Sequence, residues 1–136
     1  MYCDTSSIAT GSSLWQVRGD RMYFLGYSSK SLPDACKRYS PTELELYGIL
    51  VHLKIWKYLV KPTHFQVYTD HSAIVHILKA KTQPSTTRIS RILERLSEYS
   101  FSVGCKKGVS MVMCDFLSRN PIADDSPDKT AHPIAF

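Results

Sequence analysis

One short stretch limits the possible folds more than any other. Apolar and aromatic residues occupy Phe65, Val67 and Tyr68, and the run then stops at an acid, Asp70. A run of this kind is typical of a buried β-strand, here over residues 64–69. The pattern therefore predicts a sheet in which one strand delivers a carboxylate to the edge.

The residues before this strand predict an antiparallel meander and then a long helix. Residues 1–29 contain three β-rich runs, and the quartet Arg18-Gly19-Asp20-Arg21 between the second and third is turn-like. Ser40, Pro41 and Glu43 form an N-cap, a first-position proline and a capping box. The helix is predicted from there to about residue 59, apolar nearly all round and therefore covered on more than one side.

The rest of the chain alternates between helix and strand and then changes composition. We expect helices at 71–79 and 86–98, a strand at 101–105 and a last helix at about 110–119. Three prolines and three aspartates follow residue 120, which predicts a domain over 1–120 and a flexible tail or linker over 121–136. The order of elements indicates an α/β fold, with helices on the faces of a mixed sheet.

Composition sets limits on the function. The 136 residues fit one domain, and the net charge of +5 permits a polyanionic partner without requiring one. No apolar run approaches a membrane span, and no apolar segment follows the N-terminus, so we expect neither a membrane anchor nor a signal peptide. The four cysteines show no zinc spacing and are interpreted as free thiols in a reducing compartment.

Four acids have surroundings that favour a shared site. Asp4 and Asp70 lie at strand ends, and neighbouring strands are about 4.8 Å apart. Glu45 lies on a stripe of the long helix without other charges, and Asp115 is flanked by apolar residues. A carboxylate in such surroundings is costly unless it is paired or binds a cation. Several hard oxygen ligands together suit Mg²⁺ or Mn²⁺.

Each acid taken alone also has an ordinary structural interpretation. Asp4 suits a turn, and Glu45 suits a partly exposed helix position. Asp70 is placed to cap the helix that follows it, and Asp115 to pair with Arg119 four residues later. Only the joint context of the four favours a metal site.

Five sequence blocks over residues 1–120 form a recognisable series. They are Asp4-Thr5-Ser6 with Gly11 and Leu14-Trp15-Gln16; Tyr27 to Leu32; Arg38 to Leu46; Tyr68-Thr69-Asp70-His71; and Gly108 to Arg119 with Asp115-Phe116-Leu117-Ser118-Arg119. In order and spacing the five blocks resemble the ribonuclease H domain of reverse transcriptases from gypsy-class LTR retrotransposons, which makes the resemblance specific.

The resemblance implies a fold, a reaction and a set of residues. The fold is a ribonuclease H-like mixed five-stranded sheet, three strands antiparallel and two added in parallel, with helices on both faces. The reaction is two-metal hydrolysis of the RNA strand of an RNA/DNA hybrid, with two Mg²⁺, or Mn²⁺ as substitute, and 5′-phosphate products. The residues it implies as both catalytic and metal-binding are Asp4, Glu45, Asp70 and Asp115. Those it implies as substrate-binding are Thr5, Ser6, Thr42 and Arg119.

The resemblance also implies a molecular context. Such a domain works beside the polymerase domain of the same polyprotein, in a virus-like particle in the cytoplasm, and this context is compatible with a dimer of the full-length enzyme. Residues 104–110 lack the loop histidine of cellular ribonucleases H. The extra basic helix of the cellular enzymes also has no counterpart here, so we expect the isolated domain to bind the hybrid weakly.

Proteins with two other functions share this fold and are alternatives for this chain. One is a non-catalytic structural or dimerisation module of a reverse transcriptase, for which loss of a carboxylate is the expected sign; none of the four is lost here. The other is an integrase or transposase core, in which the catalytic glutamate comes last in the sequence rather than second.

Overall fold

A five-stranded sheet organises the chain. The computed structural model describes residues 1–80 and 86–107, and its strands lie in the order β3-β2-β1-β4-β5. The strands are β1 (Tyr2–Thr5), β2 (Ala9–Arg18), β3 (Arg21–Ser31), β4 (Phe65–Thr69) and β5 (Phe101–Cys105). The first three pair antiparallel, whereas β4 pairs parallel with both β1 and β5. The predicted mixed α/β sheet is therefore confirmed.

The helices lie between the third and fifth strands in sequence. A short 3₁₀ helix (Asp34–Arg38) precedes α1 (Pro41–Ile55) and α2 (Lys57–Val60); α3 (Ser72–Lys79) follows β4, and α4 (Thr87–Leu96) precedes β5. Within the described ranges, no helix combines the length and the apolar character that crossing a bilayer demands. The helix predicted at 110–119 and the tail at 121–136 lie outside the described residues.

The turn between β2 and β3 is the one that the sequence predicts. Arg18 pairs with Arg21, so Gly19 and Asp20 form a two-residue loop. Gly19 has a φ of +63°, which a residue with a Cβ rarely adopts. A positive φ at the first central position is the mark of a type II′ hairpin turn.

The start of α1 confirms half of the predicted capping box and corrects the other half. The Ser40 hydroxyl accepts a hydrogen bond from the Glu43 backbone N–H at 3.2 Å. The Glu43 side chain, however, forms an ion pair with Arg88 of α4. A carboxylate that already accepts from a guanidinium gains more from that charged bond than from the Ser40 N–H.

The long helix also ends earlier than the sequence predicts. Its α-helical geometry stops at Ile55, and Trp56 interrupts it with φ −88° and ψ 8° before α2 begins. The indole N–H of Trp56 donates to the Ser12 hydroxyl on β2 at 2.9 Å. The interruption therefore coincides with a side chain that is tied to the sheet.

The hydrophobic core lies between α1 and the sheet and extends under α3 and α4. Helix α1 contacts β1 and β2 on one side and α3 and α4 on others, as an all-round apolar helix requires. The fully buried core side chains include Leu46, Ile49, Leu53, Trp56, Val67 and Ile74. This packing fixes α1 against the central strand β1, beside which the candidate site lies.

Candidate acidic metal site

The register of the central strands brings Asp4 and Asp70 level with each other. Tyr2 of β1 pairs with Tyr68 of β4, and the two strands run parallel. Two residues further along each strand come Asp4 and Asp70. The same edge of the sheet therefore presents both carboxylates, as the sequence predicts.

Glu45 reaches this edge from α1. It lies in the second turn of the helix, and its side chain approaches the end of β1, where the Thr5 backbone N–H donates to Glu45 Oε1 at 3.2 Å. One carboxylate oxygen from each of Asp4, Glu45 and Asp70 lies within 4.8 Å of the other two. Three of the four predicted acids therefore converge.

The convergence has an electrostatic cost. Asp4 is 7% and Glu45 5% exposed, whereas Asp70 is exposed. Burial raises the pKa of Glu45 to about 9, and the neighbouring charges of Asp4 and, more weakly, Asp70 add to the rise, while the Thr5 N–H opposes it. Without a cation, this site therefore favours a protonated Glu45 at neutral pH.

The donor set fits a hard divalent cation. Glu45 Oε2 is buried and has no hydrogen-bond partner in residues 1–80 and 86–107. A buried carboxylate oxygen without a partner costs free energy that a cation would recover. Three carboxylates supply hard oxygen ligands, which suit Mg²⁺ or Mn²⁺ better than zinc.

The ordinary interpretations of the three described acids are wrong. Asp4 lies within β1 and not in a turn, and Glu45 is buried and not half-exposed. Asp70 does not cap α3, because the N-cap position is His71 and no side-chain capping bond forms there. None of the three acids therefore has the structural role that its local sequence suggests.

The other predicted site residues have mixed outcomes. Asp115 and Arg119 lie outside the described residues. Thr5 contributes its backbone N–H to Glu45, and the Ser6 hydroxyl organises the β1–β2 turn by donating to the Ala9 carbonyl and accepting from its N–H. Thr42 is half-buried in the first turn of α1, one turn before Glu45.

Two features beside the site were not predicted. The Cys105 thiol, exposed at the end of β5, donates to the Asp70 carbonyl oxygen at 3.7 Å. Behind the site, Thr10, Ser12, His52 and Trp56 form a buried hydrogen-bonded chain between β2 and α1. His52 and Trp56 lie one and two turns beyond Ile49 on the Glu45 stripe, but the sequence does not reveal that their polar atoms meet hydroxyls of β2.

The sequence is similar to that of a known domain family and to those of transposon polyproteins. A family described as the RNase H-like domain found in reverse transcriptase matches residues 1–99. The Tf2-3 and Tf2-4 transposon polyproteins of Schizosaccharomyces pombe are each 29% identical over 135 residues, covering 93% of this chain. The chain spans about 10% of the length of these curated relatives.

Solved structures support the fold. Ribonuclease H1 from Halobacterium salinarum superposes with a TM-score of 0.65 at 16% identity, over 85% of this chain and 90% of that one. The N-terminal RNase H domain of a Mycobacterium tuberculosis protein superposes with a TM-score of 0.51 at 13% identity, over 85% and 93% of the two chains. At these identities the likeness extends to the fold alone.

Proposed function

Because the chain belongs to the family of RNase H-like domains found in reverse transcriptases, we propose that it hydrolyses the RNA strand of RNA/DNA hybrids. The observation that carries the proposal is the convergence of Asp4, Glu45 and Asp70 within 4.8 Å at one edge of the sheet. A purely structural module has no need for two buried carboxylates that repel each other.

Metal ions complete the proposed site. Asp4, Glu45 and Asp70 would hold Mg²⁺, or Mn²⁺ in its place, and Asp115 is the proposed fourth ligand. When bound, two such ions supply the activation of a water molecule and the neutralisation of charge on the leaving 3′ oxygen. The proposed product keeps its phosphate on the 5′ side.

The protein's own groups have distinct roles in this proposal. The Thr5 backbone N–H holds Glu45 Oε1, which leaves Oε2 as the buried oxygen without a hydrogen-bond partner among the described residues. Asp70 is exposed and therefore lies where a phosphate can approach. Thr42, half-buried one turn before Glu45, is the proposed contact to substrate sugar or phosphate, with Arg119 and the Thr5-Ser6 segment as further candidates.

The wider setting is part of the same proposal. The transposon polyprotein relatives and the five sequence blocks support a place in the reverse transcriptase of a gypsy-class LTR retrotransposon. The polymerase domain of that polyprotein would provide most of the grip on the hybrid. The proposal includes a cytoplasmic virus-like particle as the location, and it is compatible with a dimer of the full-length enzyme.

A cleavage assay tests the function directly. The full chain is incubated with an end-labelled RNA/DNA hybrid and Mg²⁺, Mn²⁺ or EDTA. The protein is in excess over the hybrid, so that weak affinity does not prevent cleavage from being detected. Duplex RNA and duplex DNA of the same sequence serve as controls. We expect cleavage of the RNA strand of the hybrid alone, only with metal, and 5′-phosphate ends on the products.

Two outcomes would contradict the proposal. Absence of cleavage by folded protein at enzyme excess, with either metal, would favour the non-catalytic module. Equal cleavage of all three duplexes would indicate a general nuclease of the same fold. Calorimetric titration with Mg²⁺ on the same sample separates loss of metal binding from loss of substrate binding.

A further inference from the structure

A chain of buried polar groups crosses the otherwise apolar contact between β2 and α1. We call Thr10, Ser12, His52 and Trp56 the polar seam; all four are at most 1% exposed. Ser12 Oγ lies 2.8 Å from His52 Nδ1, and His52 Nε2 lies 3.0 Å from Thr10 Oγ1. The Trp56 indole N–H donates to Ser12 Oγ at 2.9 Å.

One assignment of the protons satisfies every donor of the seam. In this assignment Thr10 donates its single hydroxyl proton to the Asp4 carbonyl oxygen at 3.3 Å and accepts from His52 Nε2–H. His52 Nδ1 therefore accepts from the Ser12 hydroxyl, which in turn accepts from Trp56. Each donor thus has an acceptor, from the indole at one end to the Asp4 backbone at the other. Such a series requires a neutral His52, and its bonds strengthen one another in a medium of low dielectric constant.

The seam ends at the acidic site through two contacts. Thr10 Oγ1 binds the carbonyl of Asp4 and lies 2.8 Å from Thr5 Oγ1. Thr5 in turn donates its backbone N–H to Glu45 at 3.2 Å. One hydroxyl group, that of Thr10, therefore contacts both the Asp4 backbone and Thr5, the residue that orients Glu45.

A close approach of α1 to the sheet makes these contacts possible. A Cβ on Gly48 would lie 1.9 Å from Thr5 Oγ1 and 2.7 Å from Thr10 Oγ1. Glu45, Gly48, His52 and Trp56 follow one another at helical spacing, so one face of α1 carries both the metal-site acid and the seam. Sliding α1 by one residue would move it 1.5 Å and rotate it by 100°, which would break every bond of the seam. Apolar packing alone tolerates such shifts better, because it is not directional.

We propose that the Thr10–His52 pair is the positioning element of the acidic site: it fixes α1 against β1 so that Glu45 and Asp4 share a cation. The contacts run through the Asp4 backbone carbonyl and through Thr5, so the role of the pair is indirect. This inference rests on the proposed function where metal is concerned, but its geometric part stands without it.

The test compares Thr10→Val with Thr10→Ser in the full chain. Valine keeps the shape and removes the hydroxyl, whereas serine retains the hydroxyl and loses a methyl group. Ile92→Ala in α4 is the control, because it destabilises the core away from the seam. The first readout is Mg²⁺ and Mn²⁺ affinity by calorimetry, under conditions in which every variant is folded.

We expect Thr10→Val to weaken metal affinity about tenfold, as loss of a group that orients a ligand does. Thr10→Ser and Ile92→Ala should bind like the parent chain. The metal concentration for half-maximal cleavage should rise in Thr10→Val, while cleavage at saturating metal falls less. A lower melting temperature with unchanged metal affinity in Thr10→Val would show that the seam is only structural and would overturn the proposal.

A second readout needs no metal. Hydrogen exchange of the Thr5 amide, followed by NMR in EDTA, should accelerate in Thr10→Val relative to Ile92→Ala at matched global stability. Unchanged Thr5 exchange would contradict the positioning role even if the parent chain proves inactive. Should Thr10→Val fail to fold, His52→Gln is subject to the same two measurements and the same criteria.

Discussion

Replacing Glu45 by glutamine should make the metal-free protein more stable while removing the proposed activity. The side chain is 5% exposed, and burial with the Asp4 charge raises its pKa from 4.5 to about 9. A carboxyl group whose pKa is raised in the folded state contributes stability at pH values below the pKa of the unfolded state. That contribution is lost as the pH rises from the unfolded-state pKa through the folded-state pKa. The metal-free parent chain should therefore lose stability between about pH 4.5 and 9.

The size of this effect follows from the shift. Each pH unit within the window costs at most about 1.4 kcal/mol, so the loss reaches roughly 3 kcal/mol at pH 7. Glutamine is neutral throughout and avoids the loss. We therefore expect Glu45→Gln to melt higher than the parent chain in EDTA at neutral pH, by on the order of 10 °C.

Glu43→Gln is the matched control, two residues away on the same helix. Its carboxylate is paired with Arg88 and takes no part in the acidic cluster. Losing that charge should cost about 1–3 kcal/mol of stability and leave cleavage nearly intact. Glu45→Gln should instead reduce cleavage by on the order of 10²-fold or more, or about 2.7 kcal/mol of transition-state stabilisation.

Thermal melts in EDTA from pH 5 to 9 and hybrid cleavage in Mg²⁺ are measured on all three proteins. The parent melting temperature should fall with pH, and that of Glu45→Gln should stay level. The reasoning is refuted if Glu45→Gln melts at or below the parent chain at pH 8, or if Glu43→Gln is the inactive variant.

Four further changes have defined outcomes. Asp70→Asn should abolish cleavage without lowering the stability of the metal-free protein. As a control, Asp20→Asn in the β2–β3 turn should cleave normally in the same assay. Substantial activity of Asp70→Asn at saturating Mg²⁺ would remove Asp70 from the site. Gly48→Ala should lower stability by about 1–3 kcal/mol in denaturant titrations, since its Cβ meets the two threonine hydroxyls; unchanged stability would mean that α1 is free to move away. Burial lowers the pKa of His52 to about 3, so the stability present above pH 6.5 should fall as the pH drops from 6.5 towards 3. In acid titrations followed by circular dichroism, His52→Gln should show a smaller fall. Truncation after Asn120 should leave the melting temperature unchanged, and a large decrease would place the tail within the fold.

Local sequence signals were sufficient for most of the fold. The strand predicted at 64–69 is observed at Phe65–Thr69, and the N-cap at Ser40 starts α1 as expected. These elements depend on residues close in sequence, such as a turn glycine or a capping hydroxyl. Three acids of the candidate site were also found from their position at strand ends and on one helical stripe.

The features that were missed depend on partners distant in sequence. Arg88 lies 45 residues from Glu43, so the ion pair that redirects the capping glutamate has no local signal. Thr10 and Ser12 are polar residues that would ordinarily be exposed, and the docking of His52 and Trp56 supplies hydrogen-bond partners for them in the interior. Pattern analysis recognises apolar faces well, but it does not recognise a buried polar contact between two distant segments.

The exposed thiol of Cys105 is a reactive group close to the acidic site. Within residues 1–80 and 86–107 it is the cysteine open to solvent, since Cys3 and Cys36 are buried. Its sulfur lies 3.7 Å from the backbone oxygen of Asp70, one of the three clustered acids. A chelating fragment joined to a mild electrophile would therefore engage the proposed metal and the sulfur together, and the short tether would raise its effective concentration at both. Selective covalent inhibition is thus open to this chain, and a homologue without a thiol at this position would escape it.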